Sequence, residues 1–393
     1  MRDSVVDLPA ARNIQRRLTR AATAQYHPTL ISPHVHRAVR CRGTLLQSQE
    51  PATFLTDELA VALSRYDLGA IESITVLSKG SRQSPKVGVV CERGKFLFKR
   101  LAPGRTELDR LRAKHRILRA LVAAGFPAPR PISTMSGGQT FLQIRDSIYE
   151  LYEFATGQSF SRSPDEARDA GAVLGKFHEV TTNLASDWMG PSGDYHDASG
   201  VRAGLCAIRS RLNSHDSLAG HEVELASIAK FLLSQYDNAA DGASKEGIAA
   251  LPGQVIHSDW HPGNLLFRGG RVQAVMDYDS VRLSRRVIDV ANGALQFSIV
   301  GGGDPTLWPD YLDEACFRSF LIGYQTVGSL LTEEFACVPH LMAEALIAEC
   351  VPPITRTGTV GRWDGFRVLQ MVCRKLKWLG ANGNRLAGEA LHK

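Results

Sequence analysis

The sequence predicts an α+β protein, with a small antiparallel sheet in its first part and a mostly helical second part. Three observations predict it. Strand-like runs follow one another at hairpin spacing between residues 71 and 100, and a further pair lies between residues 141 and 154. From residue 164 onward, apolar residues recur mostly with helical periodicity. Residues 255–279 interrupt that second pattern with an apolar strand start, the polar loop His257-Ser258-Asp259-Trp260-His261-Pro262-Gly263-Asn264, a short strand, a Gly269-Gly270 turn and a returning strand that ends at Asp277 and Asp279.

Length and composition bound the answer. A chain of 393 residues can bury a full core and hold two lobes. Its 44% hydrophobic and 22% charged content fits a soluble globular protein. No apolar run in the sequence reaches the length of a membrane span, so no membrane partner is expected. The seven cysteines are odd in number, widely spaced and without C-x-x-C, which argues against a disulfide framework or zinc site and for a reducing cytoplasm. Residues 1–51 hold eight Arg, no Lys and three acidic residues, so they carry +5 of the formal net charge of +6 and leave +1 for the rest. The high pI is therefore a property of the tail, and the body is not expected to bind nucleic acid. Residues 1–52 read as a disordered basic N-terminal extension.

The elements follow in order. Phe54, Leu55, Leu59, Val61, Ala62 and Leu63 fit one amphipathic helix ending near Gly69. Ile71–Leu77, Val87–Val90 and Phe96–Arg100 form a three-strand meander. The first connection, Gly80 to Ser84, contains Gly80, which permits close backbone approach, and the hydroxyl donors Ser81 and Ser84, so it is a candidate phosphate-covering loop as well as an ordinary polar hairpin. Lys99 ends the apolar run Phe96-Leu97-Phe98. Leu108, Leu111, Ile117, Leu118, Leu121 and Val122 predict a helix over 105–124, stopped by Gly125-Phe126-Pro127-Ala128-Pro129-Arg130-Pro131. Residues 53–157 make a first lobe and 158–393 a second. In the second, Ser163 caps a helix over 164–179 whose buried stripe is Ala170, Val173, Leu174 and Phe177. A loop over 183–200, a helix over about 218–237, a solvated linker over 241–245 and helices within 310–350 and 363–380 complete it.

Gly269-Gly270 suits a two-residue hairpin turn, which brings the polar ends of residues 255–279 out on one side. An amide oxygen from Asn264 and a carboxylate from Asp277 converging there suit a hard divalent cation that holds phosphates. A further carboxylate, Asp259, suits acceptance of a hydroxyl proton.

The pattern His257-x-Asp259 followed by Asn264, with an apolar strand ending at Asp277, resembles the catalytic loop and metal-binding aspartate of the kinase superfamily, in the form found in aminoglycoside phosphotransferases and choline/homoserine-kinase-like enzymes of the phosphotransferase enzyme family. The segments 125–131, Leu174-Gly175-Lys176-Phe177-His178 and Asp289-Val290-Ala291 are similar to further stretches of that family. The resemblance implies a two-lobed protein-kinase-like fold, with a small antiparallel-sheet N-lobe and a mostly helical C-lobe. It implies ATP and Mg2+ as cofactors: Lys99, Gly80 and Ser81 on the phosphates, a hinge at Glu153 and Phe154 for the base, and Asn264 and Asp277 on the metal. It implies Asp259 as the catalytic residue, with His257 and Asp289 holding the loop from behind. Asp279 reads as a surface carboxylate. One departure stands out: the family helix places a glutamate against the strand lysine, whereas here the helix reads Ala113-Lys114-His115-Arg116, with Glu107 or Asp109 as the carboxylates able to substitute. The implied activity is ATP-dependent phosphorylation of a hydroxyl on a small metabolite, such as an amino alcohol, a homoserine-like compound or a sugar. An aminoglycoside acceptor and a nucleotide-binding pseudokinase regulator are the alternatives.

Overall fold

The computed structural model describes residues 52–77, 83–102, 107–185, 188–212 and 220–391. The predicted extension, save residue 52, lies outside this set, as do Gly80 and Ser81 of the predicted phosphate loop. The chain forms two compact units, one up to Leu111 together with Pro129–Phe154, the other Arg112–Ala128 together with Ala155–Lys393.

The first unit is a five-stranded antiparallel sheet with one helix against it. The strands are β1 (Ile71–Leu77), β2 (Lys86–Cys91), β3 (Gly94–Arg100), β4 (Phe141–Ile144) and β5 (Ser147–Glu153), in the order β1-β2-β3-β5-β4. Burial alternates along β2, so one face of the sheet packs Val87 and Val89 with Phe98 and Leu151. Helix α1 (Thr56–Leu63) lays Leu59 and Leu63 into the same core. Its start is fixed by Glu58, whose carboxylate accepts from the Leu55 amide at 3.1 Å and pairs with Arg100 at 2.6 Å. Phe98 stacks on Tyr149 with centroids 5.5 Å apart. Helix α2 (Leu108–Ala123) gives its first turn to this unit and the remainder to the second.

The second unit is built on helices α3 (Pro164–Thr181), α4 (Ser199–Leu212), α5 (Glu222–Lys245), α6 (Arg286–Ser298), α7 (Glu314–Gln325), α8 (Thr332–Thr357) and α9 (Gly365–Leu391). Three strand pairs sit among them, the third a short one between α8 and α9. β6 (Gly253–Ile256) pairs with β9 (Arg282–Arg285), and β7 (Leu265–Arg268) pairs with β8 (Arg271–Val275). The β7–β8 turn puts Gly269 at φ 58° and Gly270 at φ 76°, the left-handed pair a type I′ hairpin requires. Ser163 caps α3 as expected, accepting from the Asp165 amide at 3.2 Å. α3 and α7 meet at glycine: a Cβ on Gly323 would lie 1.8 Å from the Arg168 carbonyl oxygen, and one on Gly171 2.0 Å from that of Phe320.

Two expectations are corrected. Residues 241–245 continue α5 instead of forming a linker, because Ala239, Ala240 and Ala243 are buried and hold the helix in the core. One segment does satisfy the length and composition of a membrane span, α8, although 67% of its apolar window is buried inside the protein. Leu341, Met342 and Ile347 are fully enclosed, as suits a central helix of a bundle. The short β10 (Thr359–Val360) and β11 (Trp363–Asp364) connect α8 to α9.

Candidate active site

Strand β6 delivers the chain to His257, and a buried carboxylate takes over from there. Asp289, in the first turn of α6, accepts from the His257 amide at 2.6 Å and the Ser258 amide at 2.7 Å. These bonds hold Ser258 at φ 63°, a left-handed conformation that seldom persists without such support. The same carboxylate lies 3.2 Å from His178 Nε2, while His178 Nδ1 lies 2.9 Å from the Tyr324 hydroxyl. The network assigns the proton to Nε2, which donates to Asp289, leaving Nδ1 to accept from tyrosine. His178 and Tyr324 come from the two helices that meet at Gly171 and Gly323, so that close contact also sets the support of the loop.

His257 supports the loop through its backbone and its packing. Its ring is fully buried, edge-on to Tyr278 at 5.1 Å and Trp260 at 5.4 Å, and neither ring nitrogen has a hydrogen-bond partner among the described residues. Burial among these rings lowers its pKa and favours the neutral imidazole.

Asp259 and Asn264 are bonded to each other. Asn264 Nδ2 donates to Asp259 Oδ2 at 2.8 Å and to the Asp259 carbonyl at 3.0 Å. Both amide hydrogens are thereby used, and Oδ1 is left to face a cation. The Asn264 carbonyl accepts from the Met276 amide at 2.8 Å, so the hairpin register places Asp277 next to it in the chain's return. Asp277 is exposed and left-handed at φ 61°. An amide oxygen and one exposed carboxylate form an all-oxygen donor set that fits magnesium. Among the described residues no three His, Cys, Asp or Glu side chains cluster around one point.

Asp279 is not the surface carboxylate expected. It is paired with Lys114 of α2 at 2.9 Å, the two side chains being 10% and 8% exposed. The pair spans 165 residues of sequence, so no local pattern announces it. In the first unit Lys99 is buried, and its cross-strand neighbour on β5 is the fully buried Glu150, on the same face of the sheet. Glu107, a carboxylate expected to stand in for the helix glutamate, is exposed. At the predicted hinge, the Glu153 amide donates to the Arg130 carbonyl at 3.0 Å and the Phe154 amide to that of Lys95 at 3.0 Å. The backbone amides of both hinge residues are thus already engaged.

Asp259 opens onto a cavity of about 890 Å³ within the second unit, lined also by Arg282, Asn292, Gln296 and Glu349. Asn292 is 7% exposed, and its buried Oδ1 accepts no hydrogen bond among the described residues. Gln296 donates to Glu349. Solvent reaches Glu349 through the cavity, yet protein surrounds it; desolvation, then the negative Asp259, pushes its carboxyl up to about 7. From the sequence Glu349 is one of several carboxylates scattered over the later helices, and Asn292 and Gln296 carry no assigned role. The available signal was the spacing of Asp289, Asn292 and Gln296, which sets one polar stripe along an otherwise apolar helix.

A five-stranded sheet unit, with a helical unit that holds an aspartate–asparagine loop against a hairpin aspartate, is the architecture of a kinase-like phosphotransferase. The chain belongs to the phosphotransferase enzyme family, whose model matches residues 73–328. A homoserine kinase of Nitrobacter winogradskyi is 27% identical over 232 residues, 56% of this chain and 62% of that protein. The match thus spans less than two thirds of that relative's length. An aminoglycoside phosphotransferase of Alicyclobacillus acidocaldarius shares the fold with a TM-score of 0.64 at 18% identity, over 89% of this chain and all of that one. A microcompartment-associated aminopropanol kinase shares it with a TM-score of 0.62 at 15% identity, over 83% and 98% of the two chains.

Proposed function

We propose that the protein transfers the terminal phosphoryl group of ATP to a hydroxyl of a small, amine-bearing metabolite. The observation that carries this reading is the bonded Asp259–Asn264 pair, tied through the Met276 amide to the chain just before Asp277 and open to the cavity. Magnesium-bound ATP, once present, supplies the transferable phosphoryl group and the charge neutralisation the transfer needs. Asn264 Oδ1 and the Asp277 carboxylate would hold the metal, and Lys99 would offer a point charge to the phosphates. Asp259 keeps Oδ2 on Asn264, and its Oδ1 orients the acceptor hydroxyl and takes its proton. Asp289 and the His257 backbone keep that carboxylate in place.

The amine follows from the cavity wall. A carboxylate from Glu349 and an undonated amide oxygen from Asn292 both call for N–H donors, and an ammonium group supplies several. The homoserine kinase and aminopropanol kinase relatives support this choice over a sugar. The acidic lining also favours a second reading, a polycationic aminoglycoside acceptor, which a resistance assay in a sensitive host separates from the first. The setting proposed is the cytoplasm, where ATP is available and the six described free cysteines remain reduced.

The test is ATP consumption screened against amino alcohols, hydroxy amino acids, sugars and aminoglycosides. Asp259→Ala and Asp277→Ala are each expected to lower kcat by about 10²–10³-fold or more while the melting temperature holds. Near-normal turnover by the Asp277→Ala protein would contradict the mechanism.

A further inference from the structure

Lys114 is a nearly buried ammonium that the phosphoryl-transfer scheme does not use. It stands on α2 with Nζ 2.9 Å from Asp279 Oδ1. The same stretch of chain touches the other side of the metal loop, because the Pro127 carbonyl, just past α2, accepts from the Val275 amide at 2.8 Å. Val275 lies two residues before Asp277, and Asp279 two residues after. Between them the Met276 amide is held by the Asn264 carbonyl at 2.8 Å. Asp277 is thus bracketed, and it adopts a left-handed backbone, which aspartate tolerates better than most residues and which the bracket holds.

The charges give the bracket a direction. Two carboxylates two residues apart repel when both are ionised. The cation draws one of them inward, so Asp279 is nearly buried while Asp277 is exposed. A buried ion pair is a poor source of net stability, since desolvation offsets much of its attraction, and geometry is the better-attested use of such a pair. We infer that Lys114 is a positioning residue of the metal site: by holding Asp279 inward it fixes Asp277 in the pose that binds the cation. The inference rests on the reading of Asp277 as a metal ligand.

The experiment titrates Mg2+ into the protein with ADP and follows nucleotide binding by calorimetry, with ADP in EDTA as the metal-free reference. Supporting partners of a metal ligand are typically worth about 10–100-fold in metal affinity. Lys114→Met is therefore expected to raise the Mg2+ needed for half-maximal ADP binding about 10-fold or more, with metal-free ADP binding unchanged. Lys114→Arg should restore most of the loss. Asp279→Asn should give a similar shift, and the double variant should be no worse than either single one. Wild-type Mg2+ dependence in folded Lys114→Met protein overturns the inference. So does an equal loss of metal-free and metal-dependent binding, which marks a merely structural role. If Lys114→Met does not fold, Asp279→Asn decides by the same criteria. Absence of Mg2+-dependent ADP binding by the wild-type protein would instead remove the kinase reading, and this inference with it.

Discussion

Glu349 and Asn292 face one cavity: Asn292 Oδ1 is buried and accepts no hydrogen bond among the described residues, while Glu349 accepts from Gln296 and meets solvent. A buried acceptor left undonated costs about 1–3 kcal/mol, which a bound ammonium would recover. Titration of Glu349 makes this testable. With its pKa pushed up to about 7, the folded state binds a proton in the range from about 4.5 to 7 that the unfolded state has released. Stability therefore falls as pH rises through that window and stays lower above it. Glu349→Gln removes the ionising group, so its melting temperature should match the wild type near pH 5 and exceed it above pH 7, as thermal unfolding across pH would show. An ammonium-bearing acceptor needs the ionised carboxylate, so wild-type KM for such an acceptor should fall as pH rises through 7. The variant should lose that dependence. A pH-independent KM in the wild type would count against the ammonium contact.

At the scale of elements, the contact of α3 with α7 carries the site's support. Gly323→Ala would press a methyl onto a backbone carbonyl with a Cβ–oxygen separation of 1.8 Å, so the helices must separate. The expected cost is about 2–3 kcal/mol in urea unfolding, with a fall in kcat, because His178 and Tyr324 ride on the displaced helices. Gly388→Ala on α9, where an added Cβ meets nothing within 4 Å, should be neutral or stabilise by up to about 1 kcal/mol. The same scale shows what the sequence makes legible. Apolar runs and Gly269-Gly270 announce the β7–β8 hairpin, and a Ser163 cap with an apolar stripe announces α3. Nothing local announces the pairing of β6 with β9 or of Lys114 with Asp279, since each depends on residues far apart in the chain. At the end of α5, polar Asp241 and Lys245 mask the buried alanines, and tertiary packing overrides the local signal.

For the whole molecule, a sheet-rich unit and a helical unit follow from the shift of periodicity along the chain. The helical unit carries the loop, the hairpin aspartate and the cavity onto which Asp259 opens, and all of Asp259, Asn264, Asp277 and Asp289 belong to it. Those four were legible because their spacing is local. The cavity was not, because its wall is assembled from residues 194–201, the loop before β7, the start of β9, α6 and α8. The phosphate-loop residues Gly80 and Ser81 retain their proposed role on sequence grounds alone. The central claim is phosphoryl transfer from ATP to an acceptor hydroxyl positioned by Asp259. The direct measurement is phosphorus NMR of a reaction containing ATP, Mg2+ and a panel of amine-bearing alcohols, run with the wild type and with Asp259→Ala. A phosphomonoester that forms with the wild type and is lost in the variant is the predicted result. No phosphomonoester from any acceptor, or an equal yield from Asp259→Ala, would contradict it.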